Sequence, residues 1–288
     1  MQERIALVTD SACDASDEEL AALGVECLPL RVTRPDGTLF PQDNTAANIE
    51  AFYDYIATCD ELPTTSQARP LDFSELYARL AREGYTHALS LHIGSKLSGT
   101  VETARLAAQD APLEVEVIDT RTATVAQYLF VRRIAQLRDA GCSFAELVDA
   151  ARRLEGATSV CFMLDTLRNL VMGGRAGKAT ALAATILNIK PLLTVAENGE
   201  IAVLAKAKSL KRAASRLADI AAGLADRFGE LEVCLLHTRR PEGLELLAKA
   251  FEERGVKCRH IPARQPGPVI TTHVSTGAIG FAYIPVEA

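Results

Sequence analysis

Short apolar runs alternate with amphipathic stretches along the first half of the chain. Ile5–Val8 reads as a strand, followed by a helix opened by the capping box Ser16/Glu19 and closed at Gly24. Val25–Leu30 is a second strand, Arg34-Pro35-Asp36-Gly37 a turn, and Asn48–Thr58 a short helix. Asp72 with Glu75 is expected to cap a helix whose apolar stripe is Phe73, Leu76, Tyr77 and Leu80. Strands at His87–Ile93 and Val115–Asp119 flank a helix over 100–109. Helices at 122–140 and 143–155 follow, the second capped by Ser143 with Glu146. This alternation predicts an α/β fold with a largely parallel sheet and helices on both its faces.

The second half has a different grammar. A strand at 158–164 and a Gly-Gly-Arg segment precede a helix near 179–187. Lys190–Val195 and Ile201–Lys206 then flank Glu197-Asn198-Gly199-Glu200, and Asn-Gly between strands signals a hairpin. Helix 209–228, strand 231–237, helix 242–254 and strands 256–261 and 268–273 complete the pattern. A hairpin within an α/β pattern implies a mixed sheet. Two domains are expected, residues 1–156 and 157–288, with a site between and within them.

Composition narrows the function. The 288 residues are 48% hydrophobic and 24% charged, as in an ordinary folded protein. A formal net charge of -6 opposes both phosphate backbones and anionic membranes, and aromatic residues, at 5%, offer little for base stacking. Neither nucleic acid nor an integral membrane association is expected. Seven cysteines without C-x-x-C spacing fit reduced thiols, and the apolar start after Glu3 is too short for a signal segment. A cytoplasmic protein without metal or cofactor follows as the expectation.

The chemistry lies in small polar stretches: Val8-Thr9-Asp10-Ser11, Thr64-Thr65-Ser66-Gln67, Ser95–Thr100, Leu167–Arg175 and Gly267–His273. Ser98 suits a helix cap, and unpaired N–H groups at that helix start would attract an anion, with Gly99 admitting its headgroup. Thr65 and Ser66 are either a linker or a row of hydroxyl donors. His273 is either a structural histidine or a ligand contact. Bond-making motifs fail: Gly177-Lys178 lacks the phosphate-loop glycine at position 172, which is Met, and no nucleophile elbow surrounds Ser98. An acyl hydrolase using Ser98, His273 and Asp119 or Asp165 is the main alternative. A regulatory interaction protein without obligatory lipid is another.

Taken together, these stretches resemble the DegV family of fatty-acid-binding proteins, with Ile189-Lys190-Pro191 as a further match. The resemblance implies that the chain is not an enzyme. It implies that Thr65, Ser66, Ser98, Gly99, Thr272 and His273 surround the carboxylate of a long-chain fatty acid. It also implies that Arg175 faces a fatty-acid kinase subunit, which would convert the bound acid to an acyl phosphate for phospholipid synthesis. Three places depart from the family pattern: Ala68-Arg69 after the T-S-Q loop, Gly94 in place of a serine, and Val274-Ser275-Thr276 after the histidine. The tail is expected along the apolar stretches 182–195 and 269–284.

Overall fold

The computed structural model describes residues 3–185 and 189–287. The strands are β1 (Ile5–Asp10), β2 (Val25–Leu28), β3 (Arg31–Thr33), β4 (Thr64–Ser66), β5 (His87–His92), β6 (Glu114–Asp119), β7 (Ser159–Met163), β8 (Lys190–Val195), β9 (Ile201–Ala207), β10 (Leu231–His237), β11 (Cys258–Arg264) and β12 (Ile279–Pro285). The helices are α1 (Asp17–Ala22), α2 (Ala46–Thr58), α3 (Pro70–Arg82), α4 (Thr100–Ala108), α5 (Thr124–Asp139), α6 (Phe144–Leu154), α7 (Arg168–Met172), α8 (Leu210–Phe228), α9 (Pro241–Arg254) and α10 (Pro268–Val274). Tight 3-10 turns at Ser11–Cys13 and Gly177–Thr185 complete the chain.

The first sheet is all-parallel, in the order β2-β1-β5-β6. Its central strands are buried on both faces, so Ala6-Leu7-Val8 and Ala88-Leu89 read as continuous apolar runs. The second sheet is mixed, in the order β11-β10-β12-β7-β8-β9, with only the β10–β11 pair parallel. β3 and β4 form a separate two-stranded ribbon that presents Thr65 opposite Val32. Helix α5 lies between the sheets, and one hydrophobic cluster runs through it from Leu7 and Leu89 to Phe162, Ala282 and Ile284.

The capping boxes at Ser16/Glu19 and Ser143/Glu146 form as expected, and the Asn198-Gly199 hairpin joins β8 to β9. Several elements differ from the sequence reading. Asp72 is the third residue of α3 rather than its cap. The helix opens at Pro70, whose missing N–H costs nothing in the first turn, and the Asp72 carboxylate accepts from the Arg69 backbone N–H at 2.8 Å. Residues 177–185 wind as a 3-10 turn, not an α-helix, and 186–187 of the expected helix lie outside the described residues. The strand expected at 256–261 runs from Cys258 to Arg264.

The largest correction concerns the C-terminal region. The run Val269-Ile270-Thr271-Thr272 is rich in residues that favour strands, yet it is helical. Pro268 sets φ for a first helical turn, and the Thr271 and Thr272 hydroxyls donate to the carbonyls of Pro266 and Pro268 at 3.1 and 2.9 Å. The final strand comes later, at Ile279–Pro285. It is fully buried in the middle of the second sheet, where Gly280 lies against the Cys161 carbonyl at the 2.5 Å that a Cβ would reach. Any larger residue there would part β12 from β7.

Candidate functional site

A cavity of about 380 Å³ opens between the two sheets, within the size range of ligand pockets. One wall comes from the carboxyl ends of the parallel strands: Leu30 after β2, Ile93 after β5, and Ala123 and Thr124 after β6. Ligands gather at this edge in open α/β sheets, because loops there leave a crevice where the strand order changes direction. The opposite wall is the face of the mixed sheet, and α10 closes the side with Val269, Ile270 and His273.

Thr65, Ser98, Arg175 and His273 all line this cavity. Thr65 Oγ1 and His273 Nε2 are 2.9 Å apart, although 208 positions separate them in the chain. Ser98 lines the cavity beside them, its Oγ 2.8 Å from Thr100 Oγ1. Arg175 Nε donates to the Leu97 carbonyl at 3.0 Å, and its Nη1 to the Gly173 carbonyl at 2.5 Å. Arg175 is therefore half-buried at the rim, not a fully solvated neighbour of a helix cap.

Electrostatics define the state of the imidazole. Burial, followed by the nearby Arg175 charge, pushes the His273 pKa down to about 4, so the ring is neutral near pH 7. Nδ1 is buried without a hydrogen-bond partner among the described residues. An orphaned N–H is costlier than an orphaned lone pair, so the proton belongs on Nε2 and is donated to Thr65 Oγ1. The Thr65 hydroxyl proton is thereby released toward the cavity. A hydroxyl donor at Thr65 and a second at Ser98 suit a carboxylate.

The remaining expected residues divide. Ser66 lines the cavity. Gly99, rather than Ser98, occupies the N-cap of α4; it does not line the cavity but packs against the Gln67 side chain, whose Nε2 donates to Thr103 Oγ1 at 2.5 Å. Ser98 stands one residue before the cap, its Oγ accepting weakly from Thr100 N at 3.4 Å. Thr272 turns its hydroxyl onto the Pro268 carbonyl and stays outside the cavity, while its own carbonyl accepts from Asn169 Nδ2 at 3.0 Å. That bond ties α7 to α10 and so fixes Arg175 relative to His273. Of the expected tail segments, 182–188 carries no described side chains, whereas Val195 and the stretch from Val269 to Gly280 contribute to the lining.

Sequence reasoning missed several contributors. Gln67 sits in a recognised stretch but gave no sign of bracing Gly99. Asp14 is buried, accepts from Gly267 N at 2.9 Å and Thr124 Oγ1 at 2.6 Å, and so holds the start of α10. His92 shows no partner in local spacing, yet the fold encloses it between Asp10 Oδ2 at 2.9 Å and Ser90 Oγ at 2.8 Å. Apart from Ser90–His92, two residues apart on β5, no short-range pattern marks these contacts.

The hydrolase alternative requires an acid on His273. Asp119 is engaged by Ser95 N, Ser95 Oγ and Arg121 N, and Asp165 by Lys190 and Arg240. The imidazole nitrogen that an acid would orient has no partner among the described residues. This arrangement lacks the relay that activates a serine.

The DegV family model, described as an uncharacterised protein family, matches residues 4–286. The chain belongs to the DegV family. A DegV domain-containing protein of Deinococcus radiodurans is 36% identical over 99% of both chains. Among solved structures, a DegV family protein from Thermus thermophilus described for its fatty acid binding superposes with a TM-score of 0.89. It is 33% identical, over 98% of this chain and all of that one. A fatty acid binding DegV family protein from Streptococcus agalactiae gives 0.90 at 28% identity, over 99% of each chain. The DegV fold thus accounts for both sheets and for the crevice between them. Among the described residues of this DegV protein, no helix is long and apolar enough to cross a membrane, and no cluster of three or more His, Cys, Asp or Glu side chains could hold a metal ion.

Proposed function

We propose that this protein is a cytoplasmic carrier that binds one long-chain fatty acid and presents its carboxylate to a fatty-acid kinase subunit. The supporting observation is the make-up of the cavity: a largely apolar lining in which Thr65, hydrogen-bonded to His273, and Ser98 supply hydroxyl donors for a head group. Each buried methylene contributes about 0.8 kcal/mol, so a tail of about 15 carbons supplies roughly 12 kcal/mol gross. Hydrogen bonds to the charged head add about 1.5–3 kcal/mol each. The tail therefore supplies affinity, and the head contacts decide which end emerges. The fatty-acid binding of the solved DegV relatives supports the same ligand class.

Organic extraction of the purified protein should release about one equivalent of fatty acid. The delipidated Thr65→Val and Ser98→Ala variants should each bind palmitate about 1–3 kcal/mol more weakly than the parent, with the fold retained. Extraction without fatty acid, together with no uptake of added palmitate or oleate, would refute the carrier reading. Wild-type affinity in the double variant would move the head site elsewhere.

Arg175 separates carriage from presentation. Its Nη2 has no hydrogen-bond partner among the described residues, which leaves donors for a partner's acid or for a phosphate in transfer. Arg175→Ala should leave palmitate affinity near the parent value and sharply lower kinase-dependent acyl phosphate formation. It should also raise the His273 pKa, because a like charge is removed. Loss of palmitate binding would instead assign Arg175 to the head site, and undiminished phosphorylation would leave it a purely structural role.

A further inference from the structure

Arg175 and α7 move as one unit. Gly174, at φ 71°, turns the chain after α7, and the Gly174 and Arg175 backbone N–H groups donate to the Val171 and Leu170 carbonyls at 3.0 and 2.8 Å. These two bonds make a Schellman motif, which fixes the Arg175 backbone to the last turn of the helix. The side chain folds back onto the same turn through Nη1 and the Gly173 carbonyl, while Nε reaches the Leu97 carbonyl, next to Ser98, at 3.0 Å.

This unit meets the head site at His273. The imidazole stands between two neighbours: Nε2 is 2.9 Å from Thr65 Oγ1, and Nδ1 is 2.5 Å from the point that a Cβ on Gly173 would occupy. A shift of the ring relative to Thr65 is therefore felt at Gly173, two residues from Arg175. Asn169 keeps the two helices in this contact. It is buried on α7, and its Nδ2 donates at 3.0 Å to the carbonyl of Thr272, the residue before His273. Helix α10 ends directly afterwards at Ser275, whose φ of 61° and ψ of -171° are a conformation suited to glycine. A strained helix end persists only where its neighbours hold it, and the Asn169 amide is the hold that α7 supplies.

A carboxylate in the head site accepts the Thr65 hydroxyl proton. That charged acceptor strengthens the bond that Thr65 Oγ1 in turn accepts from His273, because hydrogen bonds in a chain polarise one another. Loading thus draws the imidazole toward Thr65 and changes its packing on Gly173. We propose that Asn169 is a positioning residue that couples Arg175 to the occupancy of the head site, so that the guanidinium stands differently in the loaded and the empty carrier. This rests on the carrier reading and adds a signal to it: a partner seated on Arg175 meets a loaded surface distinct from the empty one. Such a response needs contacts that differ between the two states, and the stack of Thr65, His273 and Gly173 supplies them.

Magnetic resonance of the delipidated, nitrogen-labelled full chain, titrated with palmitate carrying a carbon label at its carboxyl, tests the coupling. The Arg175 Nε–H signal, identified by its loss in Arg175→Lys, should shift as palmitate fills the parent, while the carboxyl signal reports the loading. In Asn169→Asp the side chain keeps its shape but has no N–H for the Thr272 carbonyl. There the carboxyl signal should still report bound acid at saturation, and the Arg175 shift should be lost. Thr65→Val at saturating palmitate should silence the same shift, because it removes the hydroxyl between the head group and His273. An Arg175 signal that does not respond in the parent overturns the coupling. So does a shift that survives in Asn169→Asp or Thr65→Val, because Arg175 would then sense the carboxylate directly. If Asn169→Asp does not fold, the parent and Thr65→Val still decide the matter. A parent that shows no bound carboxyl signal at all removes the carrier reading, and the coupling with it.

Discussion

An Asp14→Asn variant is expected to be more stable than the parent at pH 8 by up to about 4 kcal/mol and indistinguishable from it near pH 4. Burial raises the Asp14 pKa to about 7, against the lowering effects of Thr124, Gly267 and Arg264. In the unfolded chain the same carboxyl ionises near 3.8. Between these values the folded state holds a proton that the unfolded state has released. Stability from this group is therefore fully present below pH 3.8, falls as pH rises to about 7, and then levels off. Each pH unit of that window is worth about 1.4 kcal/mol, which sets the ceiling.

Asparagine removes the titration and keeps the geometry: its Oδ1 can accept from Gly267 N, its Nδ2 can donate to Thr124 Oγ1, and it tolerates the left-handed φ of 56°. His273 works in the opposite sense. Its pKa falls from 6.5 to about 4 on folding, so its contribution grows as pH rises through that interval. The parent profile alone mixes the two, and the informative quantity is the parent–variant difference from urea unfolding at each pH. A difference that does not change with pH would mean that folding does not raise the Asp14 pKa.

Gly173→Ala is the second change with a large expected effect, and stability and binding should move apart. At φ -76° Gly173 has an ordinary helical backbone, so alanine there would by itself stabilise by about 0.5–1 kcal/mol. Its Cβ, however, would stand 2.5 Å from His273 Nδ1, 2.9 Å from Cε1 and 3.1 Å from the Asn169 carbonyl. The imidazole must swing away, breaking its bond to Thr65 and releasing the hydroxyl orientation that the head group needs. Palmitate affinity should fall about tenfold or more, or roughly 1–3 kcal/mol, with unfolding stability little changed. In a His273→Ala background the same substitution should have no further effect on binding. A Gly173→Ala protein that binds palmitate like the parent would remove His273 from the head site.

Much of the first half was legible because its signals are local. A parallel strand buried on both faces must be apolar throughout, as Ala6-Leu7-Val8 and Ala88-Leu89 are, and capping boxes at Ser16 and Ser143 declare themselves within four residues. The stretches containing Thr65, Ser98, Arg175 and His273 were visible for the same reason. The misreadings arose where tertiary contacts override local preference. Thr271 and Thr272 favour strand, but Asp14 holds Gly267, Tyr53 donates to the Pro266 carbonyl at 2.9 Å, and the segment winds into α10 instead. Thr272 then turns inward, and Gly99 displaces Ser98 from the cap.

By itself the sequence determined the fold class, the parallel and hairpin elements, the DegV relationship and the small polar residues available for a ligand, because each depends on the order and spacing of neighbours. Only the tertiary structure decided which of those residues meet. Thr65 and His273 are joined across 208 positions by the approach of α10 to β4, and Asp14 is made titratable near neutrality by burial. Hydrogen bonds, desolvation and steric limits act through distances in space, and no local pattern of residues encodes those distances.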